Sequence, residues 1–324
     1  MADWLVEDGI GEERAIRIEG DRIVAAKVTW PGELAAGAVV TAKLVSRTTG
    51  ARRGTARLDD GTDVLVDKLP RDAAEGGPIT LEVVRAAIGE AGRRKLAQAR
   101  PSTKTPCPAP TLAERLRDAG ETARTVRRFP GTDWEELWAE AADGRIAFAG
   151  GAIVLSPTPA MTLIDIDGTL PPRALALAAV PVIADAIARF DIGGSVGIDF
   201  PTLSEKADRR AVDEALEQAL SFLSHERTAM NGFGFVQVVS RLSGPSLLQR
   251  IGADRSGAAA RLLLRRAESI TDPGVLLLTC HPSVEKALRP QWLEDLSRRT
   301  GRQLRIVTDP TLAPEAGFAQ AALS

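Results

Sequence analysis

Two different patterns divide this sequence, and the change between them at Gly150-Gly151 restricts the chain to a β-rich part followed by an α/β part. From residue 15 to 86, short runs alternate apolar and polar residues: "RAIRIEG", "RIVAAKVTW", "AVVTAKLVSR", "RGTARLDDG", "TDVLVDKL" and "PITLEVVRA". Gly, Pro, Asp and Thr turns separate them. A period of two puts alternate side chains on opposite faces, so these runs read as strands. After residue 151 apolar runs alternate with longer helical stretches: "AIVLS", "MTLIDID", "PRALALAAVPVIADAIARF", "GSVGIDF", "RRAVDEALEQALSFL" and "FGFVQVVSR". The alternation continues through "GAAARLLLRRAESI", "GVLLLTC", "SVEKALRPQWLEDLSRR" and "RQLRIVT". Strands that alternate with helices build a sheet covered by those helices.

Five or six short strands at spacings of about ten residues suggest a small closed barrel of the OB type, a fold that often holds single-stranded nucleic acid. Its surface offers little to stack on, because no Phe, Tyr or Trp lies between Pro31 and Arg128 and only Trp30 stands at the edge. The Pro-rich "RPSTKTPCPAPT" reads as a linker. "LAERLRDAGETARTVRRF" and "DWEELWAEAADG" read as two helices that join the halves, with Trp134 and Trp138 four residues apart on one core-facing side. The expected organisation is α+β: a β-rich module with an OB-like barrel over 1–100, a linker with two helices over 101–149, and an α/β domain over 150–324.

With 324 residues that are 44% hydrophobic, the chain is too apolar to remain disordered. A net charge of −2 argues against bulk attraction to nucleic acid, yet between residues 85 and 128 eleven bases face four acids. That local surplus suits a surface that tracks phosphates, with Arg93, Arg94 and Lys95 at its centre; it also suits a solvated helix and linker. Cys107 and Cys280 are too few for a zinc knuckle, so no zinc site is expected. The acidic start "MADWLVEDGIGEER" is unlike a secretory leader, and no apolar run is long enough to span a membrane, which leads to a cytoplasmic expectation.

The chemistry concentrates in "TLIDIDGTLP". Asp165-Ile166-Asp167-Gly168-Thr169-Leu170 fits the nucleophile motif of haloacid-dehalogenase-like phosphatases, in which the first Asp attacks phosphorus. That chemistry also needs a strand-end Ser or Thr, a Lys and a closing pair of acids. Thr279, Lys286 and Asp309 imitate this set with a single final Asp beside prolines. A second acid-tipped strand, "DIGGSVGIDF", ends at Asp199. Parallel strands joined by one helix lie close, so Asp165 and Asp199 at their C-terminal ends converge on one point. Hard oxygen ligands with no His nearby favour Mg²⁺, or Mn²⁺, over zinc. Strand-end Asp residues that merely cap the following helices are the alternative.

The ordered set "GGAIVLSPTPAMTLIDIDG", "IARFDIGGSVGIDF", "RRAVDEAL", "NGFGFVQVVSR", "GPSLL" and "RQLRIVTDPTLAPEAGF" resembles the catalytic core of the RNase E/G endoribonucleases. The first hundred residues resemble a shortened form of that family's strands and OB barrel. The resemblance implies a DNase I-like α/β nuclease domain and places the family's two Mg²⁺-binding Asp residues on Asp165 and Asp199. The polar residue that orients the site, usually Asn, falls on Asp167. It further implies cleavage of single-stranded RNA, such as ribosomal RNA precursors, in RNA processing or decay, leaving a 5′-phosphate and a 3′-hydroxyl. The family's zinc-binding Cys pair is absent from "GPSLLQRIGADRSG", so any self-association is expected not to be zinc-linked. Gly232 replaces a basic residue of the family, and Arg227 and Arg241 are the nearest candidates for phosphate contact. A family member that has lost its chemistry and only binds RNA is a further alternative.

Overall fold

In the computed structural model, which describes residues 3–90, 93–131 and 133–322 without the side chains of Glu90 and Arg93, the chain is a mixed α+β protein. The strands and helices follow in chain order. The β-rich part contains β1 (Trp4–Gly9), β2 (Glu12–Glu19), β3 (Arg22–Thr29), β4 (Val39–Arg47), β5 (Arg53–Arg57), β6 (Asp63–Asp67), β7 (Pro78–Arg85), β8 (Ile88–Glu90), β9 (Arg93–Lys95) and β10 (Ala97–Pro101). Then come α1 (Leu112–Asp118), β11 (Ala123–Val126), α2 (Asp133–Asp143), β12 (Arg145–Phe148), β13 (Gly151–Pro157), β14 (Thr162–Gly168), α3 (Pro172–Arg189), β15 (Ser195–Asp199), α4 (Lys206–Ala219), β16 (His225–Arg227) and β17 (Phe235–Ser240). The C-terminal part holds α5 (Leu247–Ala253), α6 (Arg255–Glu268), β18 (Val275–Cys280), α7 (Pro282–Ala287), α8 (Pro290–Thr300), β19 (Leu304–Thr308) and β20 (Phe318–Ala322).

A closed five-stranded barrel forms as expected, but from β4 onward: its order is β10-β6-β5-β4-β7, and β7 closes onto β10. The runs "RAIRIEG" and "RIVAAKVTW" are not in it. They become β2 and β3 of a separate sheet, β11-β1-β2-β3. The strand β1, which the acidic N-terminus obscures in the sequence, buries Trp4, Leu5 and Val6. The helix expected through "ARTVRRF" is also replaced: α1 stops at Asp118, and Ala123–Val126 pairs in parallel with β1 as β11. Propensity favours a helix there, but the edge of β1 offers a row of backbone partners, and tertiary pairing wins. Arg124 and Thr125 are therefore exposed residues of an edge strand, not of a helix.

The third unit is a six-stranded sheet, β12-β13-β14-β15-β17-β16. It is mixed, not parallel throughout: only β14 and β15, joined by α3, run in parallel within it. The Gly150-Gly151 boundary is the turn between β12 and β13, so this sheet begins at Arg145. Glycine is required at the turn, since Gly150 has φ +87° and a Cβ on Gly151 would lie 2.6 Å from the Asp167 carbonyl oxygen. One face of the sheet packs through Ile153, Ile164, Ile166, Val196, Ile198, Val236 and Val238 into a core shared with α2, α3 and α5, where Trp134 and Trp138 are buried. The last strands form their own three-stranded sheet, β19-β18-β20, over a separate core with α6 and α8. The helix expected across 283–299 is broken into α7 and α8, with Pro290 opening the second.

A buried ionic cluster joins these units. Arg14 on β2 is 1% exposed and bonds Glu12 at 2.5 Å and Glu7 at 2.6 Å, while its guanidinium lies 5.7 Å from the ring of Trp134 on α2. Arg265 on α6 reaches Glu7 at 3.5 Å. Among the described residues no helix is long and apolar enough to cross a membrane.

Candidate functional site

Alternation along β14 decides which way its carboxylates face. Ile164 and Ile166 are buried in the core, so Leu163, Asp165 and Asp167 project from the opposite, open face of the sheet. In β15 the buried Val196 and Ile198 turn Asp199 to that same open face. The parallel register then aligns Asp165 with Asp199 as direct neighbours, with backbones ~4.8 Å apart. Both are exposed, and neither forms an ion pair among the described residues. One Asp165 oxygen, Oδ1, accepts the Ile166 N–H at 2.9 Å. Asp167 stands on the same face two residues further along, beyond the end of the β14–β15 pairing.

The donor set is two adjacent carboxylates with Asp167 to one side. Among the described residues no group of three or more His, Cys, Asp or Glu side chains gathers as a metal site. Two carboxylates suffice for Mg²⁺, which keeps several waters and takes the rest of its ligands from substrate phosphates. The pair therefore fits such an ion.

The strip beside the carboxylates is apolar. Asp199 pairs with Phe235 across the antiparallel β15–β17 ladder, and Gly197 lies under Phe235, Met161 and Leu163. A Cβ on Gly197 would come within 2.6 Å of the Phe235 ring. Next to Phe235 is Phe233, 82% exposed. Its loop is not loose. The Asn231 side-chain oxygen accepts the N–H groups of Phe233 at 2.9 Å and Phe235 at 3.0 Å, and Gly234, at φ +93°, donates to the Asn231 carbonyl at 3.2 Å. A locked loop thus holds an aromatic ring in solvent two residues before Phe235, the cross-strand partner of Asp199. Sequence reasoning passed over Phe233; the available signal was Asn231-Gly232-Phe233-Gly234, an aromatic inside turn chemistry.

The basic residues chosen from sequence do not gather around the pair. Arg227 faces α4, where its guanidinium donates to Asp213 at 2.8 Å and Glu217 at 2.8 Å and clamps β16 to the helix. Arg241 is exposed but follows the far end of β17, about 13 Å or more from the level of Asp199. Arg94 and Lys95 lie on the β8–β9 hairpin, whose Lys95 Nζ reaches the Pro159 carbonyl at 2.9 Å, at the turn where β14 begins. The side chain of Arg93 lies outside the described residues. The first turns of α3 and α4 bring other cations, Arg173 and Lys206, to the C-terminal ends of β14 and β15. Arg173 lies 3.3 Å from Asp208.

The residues that would complete a phosphatase are elsewhere. Thr279 is the penultimate residue of β18, Lys286 lies on α7, and Asp309 follows β19, all in the C-terminal unit with its own sheet. Asp165 and Thr279 thus belong to different sheets. No protein-family model and no curated protein matches this chain.

Proposed function

We propose that this protein is a Mg²⁺-dependent endoribonuclease of the RNase E/G type that cleaves single-stranded RNA and leaves 5′-phosphate and 3′-hydroxyl ends. The observation that carries this reading is the cross-strand pair Asp165–Asp199, open to solvent and without a cation partner among the described residues, with Asp199 at the C-terminal end of β15 and Asp165 at the middle of the parallel β14. Unpaired adjacent carboxylates repel one another, which is a cost unless a cation neutralises them. Asp165 and Asp199 would hold the ion, and Asp167 would add negative charge beside it. When bound, Mg²⁺ supplies the positive charge that phosphoryl transfer requires.

The chain's own groups do the rest. Ile166 N–H fixes one oxygen of Asp165 and so orients that carboxylate. Phe233 offers a ring face to an unpaired base, and the Asn231 lock keeps it in place. Such a platform accepts single strands, whose bases are free to stack, and rejects a closed duplex. The barrel suits the same substrate. Its order β4-β5-β6-β10-β7, with β6 and β10 parallel, supports the OB-like reading. The absence of aromatics leaves contacts to charge, through Arg94, which reaches from the β8–β9 hairpin into a groove with the barrel residues Val40, Thr41 and Leu58. The DNase I-like reading of the third unit rests on the mixed sheet and its acid-tipped central strands.

The test is incubation of the full chain with a labelled A/U-rich single-stranded RNA, with Mg²⁺ or with EDTA. Cleavage is expected only with Mg²⁺, and Asp165→Asn and Asp199→Asn are each expected to lower the rate by ~100-fold or more while RNA affinity is kept or raised, since a ligand and a repulsive charge are both removed. Near-normal cleavage by either variant overturns the assignment. A chromogenic phosphomonoester run alongside separates the rival chemistry: turnover that requires Asp165 and not Asp199 would make this a phosphatase.

A further inference from the structure

On the other side of the molecule, β3, α1, α5 and the loop after β17 enclose a pocket of about 160 Å³. It lies at the base of β15, next to Asp191, whereas Asp199 ends the same strand at the opposite end. Its walls are largely apolar, with Leu116 among them, and its polar groups are nearly all cations or donors. Lys27 is paired with Asp191 at 2.5 Å, and Arg250 with Glu33 at 2.8 Å. Those pairs account for both acids in the lining. Arg115 is left over.

Three donors here have no partner. Arg250 is only 5% exposed, yet its Nε is buried without a hydrogen bond. The Nε of Arg115 and the indole Nε1 of Trp30 are buried and unbonded as well. Among the described residues the Arg115 guanidinium makes no hydrogen bond and no close ion pair; burial lowers its pKa from the ordinary arginine value by more than the attraction of Glu13 and Asp191 raises it, and the neighbouring Arg250 adds to the lowering. The Trp30 ring is itself flanked by Arg250 at 5.1 Å and Arg261 at 3.8 Å, so its N–H is the part turned to use. Buried donors left unmade are expensive, and two guanidinium groups that share a pocket repel. A protein that keeps such an arrangement gains when an acceptor arrives.

We propose that this pocket binds a small organic oxyanion, a phosphomonoester or a carboxylate, held by Arg115, Arg250 and the Trp30 N–H with its apolar part against Leu116. A pocket of about 160 Å³ has room for a small molecule. Arginine forks match both anion types in two-pronged geometry. The site is independent of the carboxylate pair and does not rest on the nuclease reading.

The experiment is calorimetric titration of the full chain at low ionic strength with phenyl phosphate, benzoate and inorganic phosphate, paired with thermal melting of the unliganded protein. At least one organic anion is expected to bind saturably, one per chain and at least fivefold tighter than inorganic phosphate. Arg115→Leu is expected to weaken it at least tenfold, whereas Arg210→Leu, a surface arginine on α4, leaves it unchanged. A structural arginine and a ligand-binding one also differ without ligand: Arg115→Leu removes a half-buried cation for which desolvation outweighs the attraction of Glu13 and Asp191, and is expected to raise the melting temperature by about 2–4 °C. Absence of saturable binding by both organic anions, binding that survives Arg115→Leu, or a lowered melting temperature in that variant would each overturn the proposal. If Arg115→Leu does not fold, Arg115→Lys keeps the charge and loses the fork, and undiminished binding there is equally fatal. Which anion binds tighter, phenyl phosphate or benzoate, identifies the ligand class.

Discussion

Phe233 is the residue whose position is hardest to explain by packing. A phenylalanine that is 82% exposed forfeits about 2 kcal/mol of burial, and the Asn231 lock shows that the loop is built to hold it outward. Its chain neighbour Phe235 pairs with Asp199 and lies with Leu163 and Met161 over Gly197. Base stacking on an aromatic contributes ~1–3 kcal/mol, so Phe233→Ala is expected to raise KM for single-stranded RNA about tenfold with little change in kcat or melting temperature. Steady-state kinetics on a short oligonucleotide decide it: an unchanged KM means that the ring does not touch substrate. Asn231→Ala should give part of the same effect, because it frees the loop without removing the ring.

At the scale of elements, the barrel closes through few residues, and one carboxylate matters to how β7 meets its partner. Glu82 on β7 receives Lys104 at 2.8 Å and Arg100 of β10 at 3.0 Å. The Lys104 ammonium first, then the Arg100 guanidinium, hold its carboxyl below the ordinary glutamate value. A depressed folded-state pKa means that the stabilisation is complete above the unfolded value and is lost as pH falls through the folded one. Acid should therefore loosen the barrel below about pH 4, and Glu82→Gln should lower stability at pH 7 while making the melting temperature less dependent on pH between about 5 and 3. Parallel pH melts of the two proteins are the measurement, and curves of identical shape would remove Glu82 from the account. The sheet of β12 to β17 shows the complementary logic, in which small residues permit close approach: Gly168 meets the Gly150 carbonyl and Leu175 of α3, and a Cβ there would lie 2.5 Å from each.

For the molecule as a whole, one apolar core runs from the N-terminal sheet through α2 and α3 into the six-stranded sheet and on to α6, and a buried ionic cluster is set into the same junction. Arg14 binds two buried glutamates of its own sheet, lies over Trp134 of α2 and shares Glu7 with Arg265 of α6; Arg266 then ties α6 back to Glu135 of α2 at 2.9 Å. Burial works against the Arg14 charge, but Glu12 and Glu7 outweigh it and raise its pKa. Removing one partner of such a set leaves the others charged and dry, which costs roughly 3–5 kcal/mol. Arg14→Met should thus lower the urea midpoint by that equivalent and is expected to uncouple the N-terminal sheet from α6, seen as two transitions where the parent shows one. A loss below ~1 kcal/mol would mean that water reaches Glu7 and Glu12.

What the sequence determined by itself is what local periodicity can carry. Alternation in "TLIDID" and "SVGID" places Asp165, Asp167 and Asp199 on the face opposite their buried isoleucines, because a strand side chain has only two directions. The barrel strands β4 to β7, α3 and α6 were legible for the same reason, whereas β10, which closes the barrel, was not. Pairing was not. Whether a short run joins a barrel, a separate sheet or a helix depends on which edge is available to its backbone, and this sent β2 and β3 out of the barrel and made β11 from helix-like sequence. The alignment of Asp165 with Asp199 needed both levels: periodicity set their direction, and the β14–β15 register set their separation. Partners over long distance are beyond any local signal. Arg227 is committed to Asp213 and Glu217, whereas Arg115, an ordinary helical arginine by its sequence, is half-buried with its Nε unbonded. The energy of a charge depends on what surrounds it in space, and only the tertiary structure decides that.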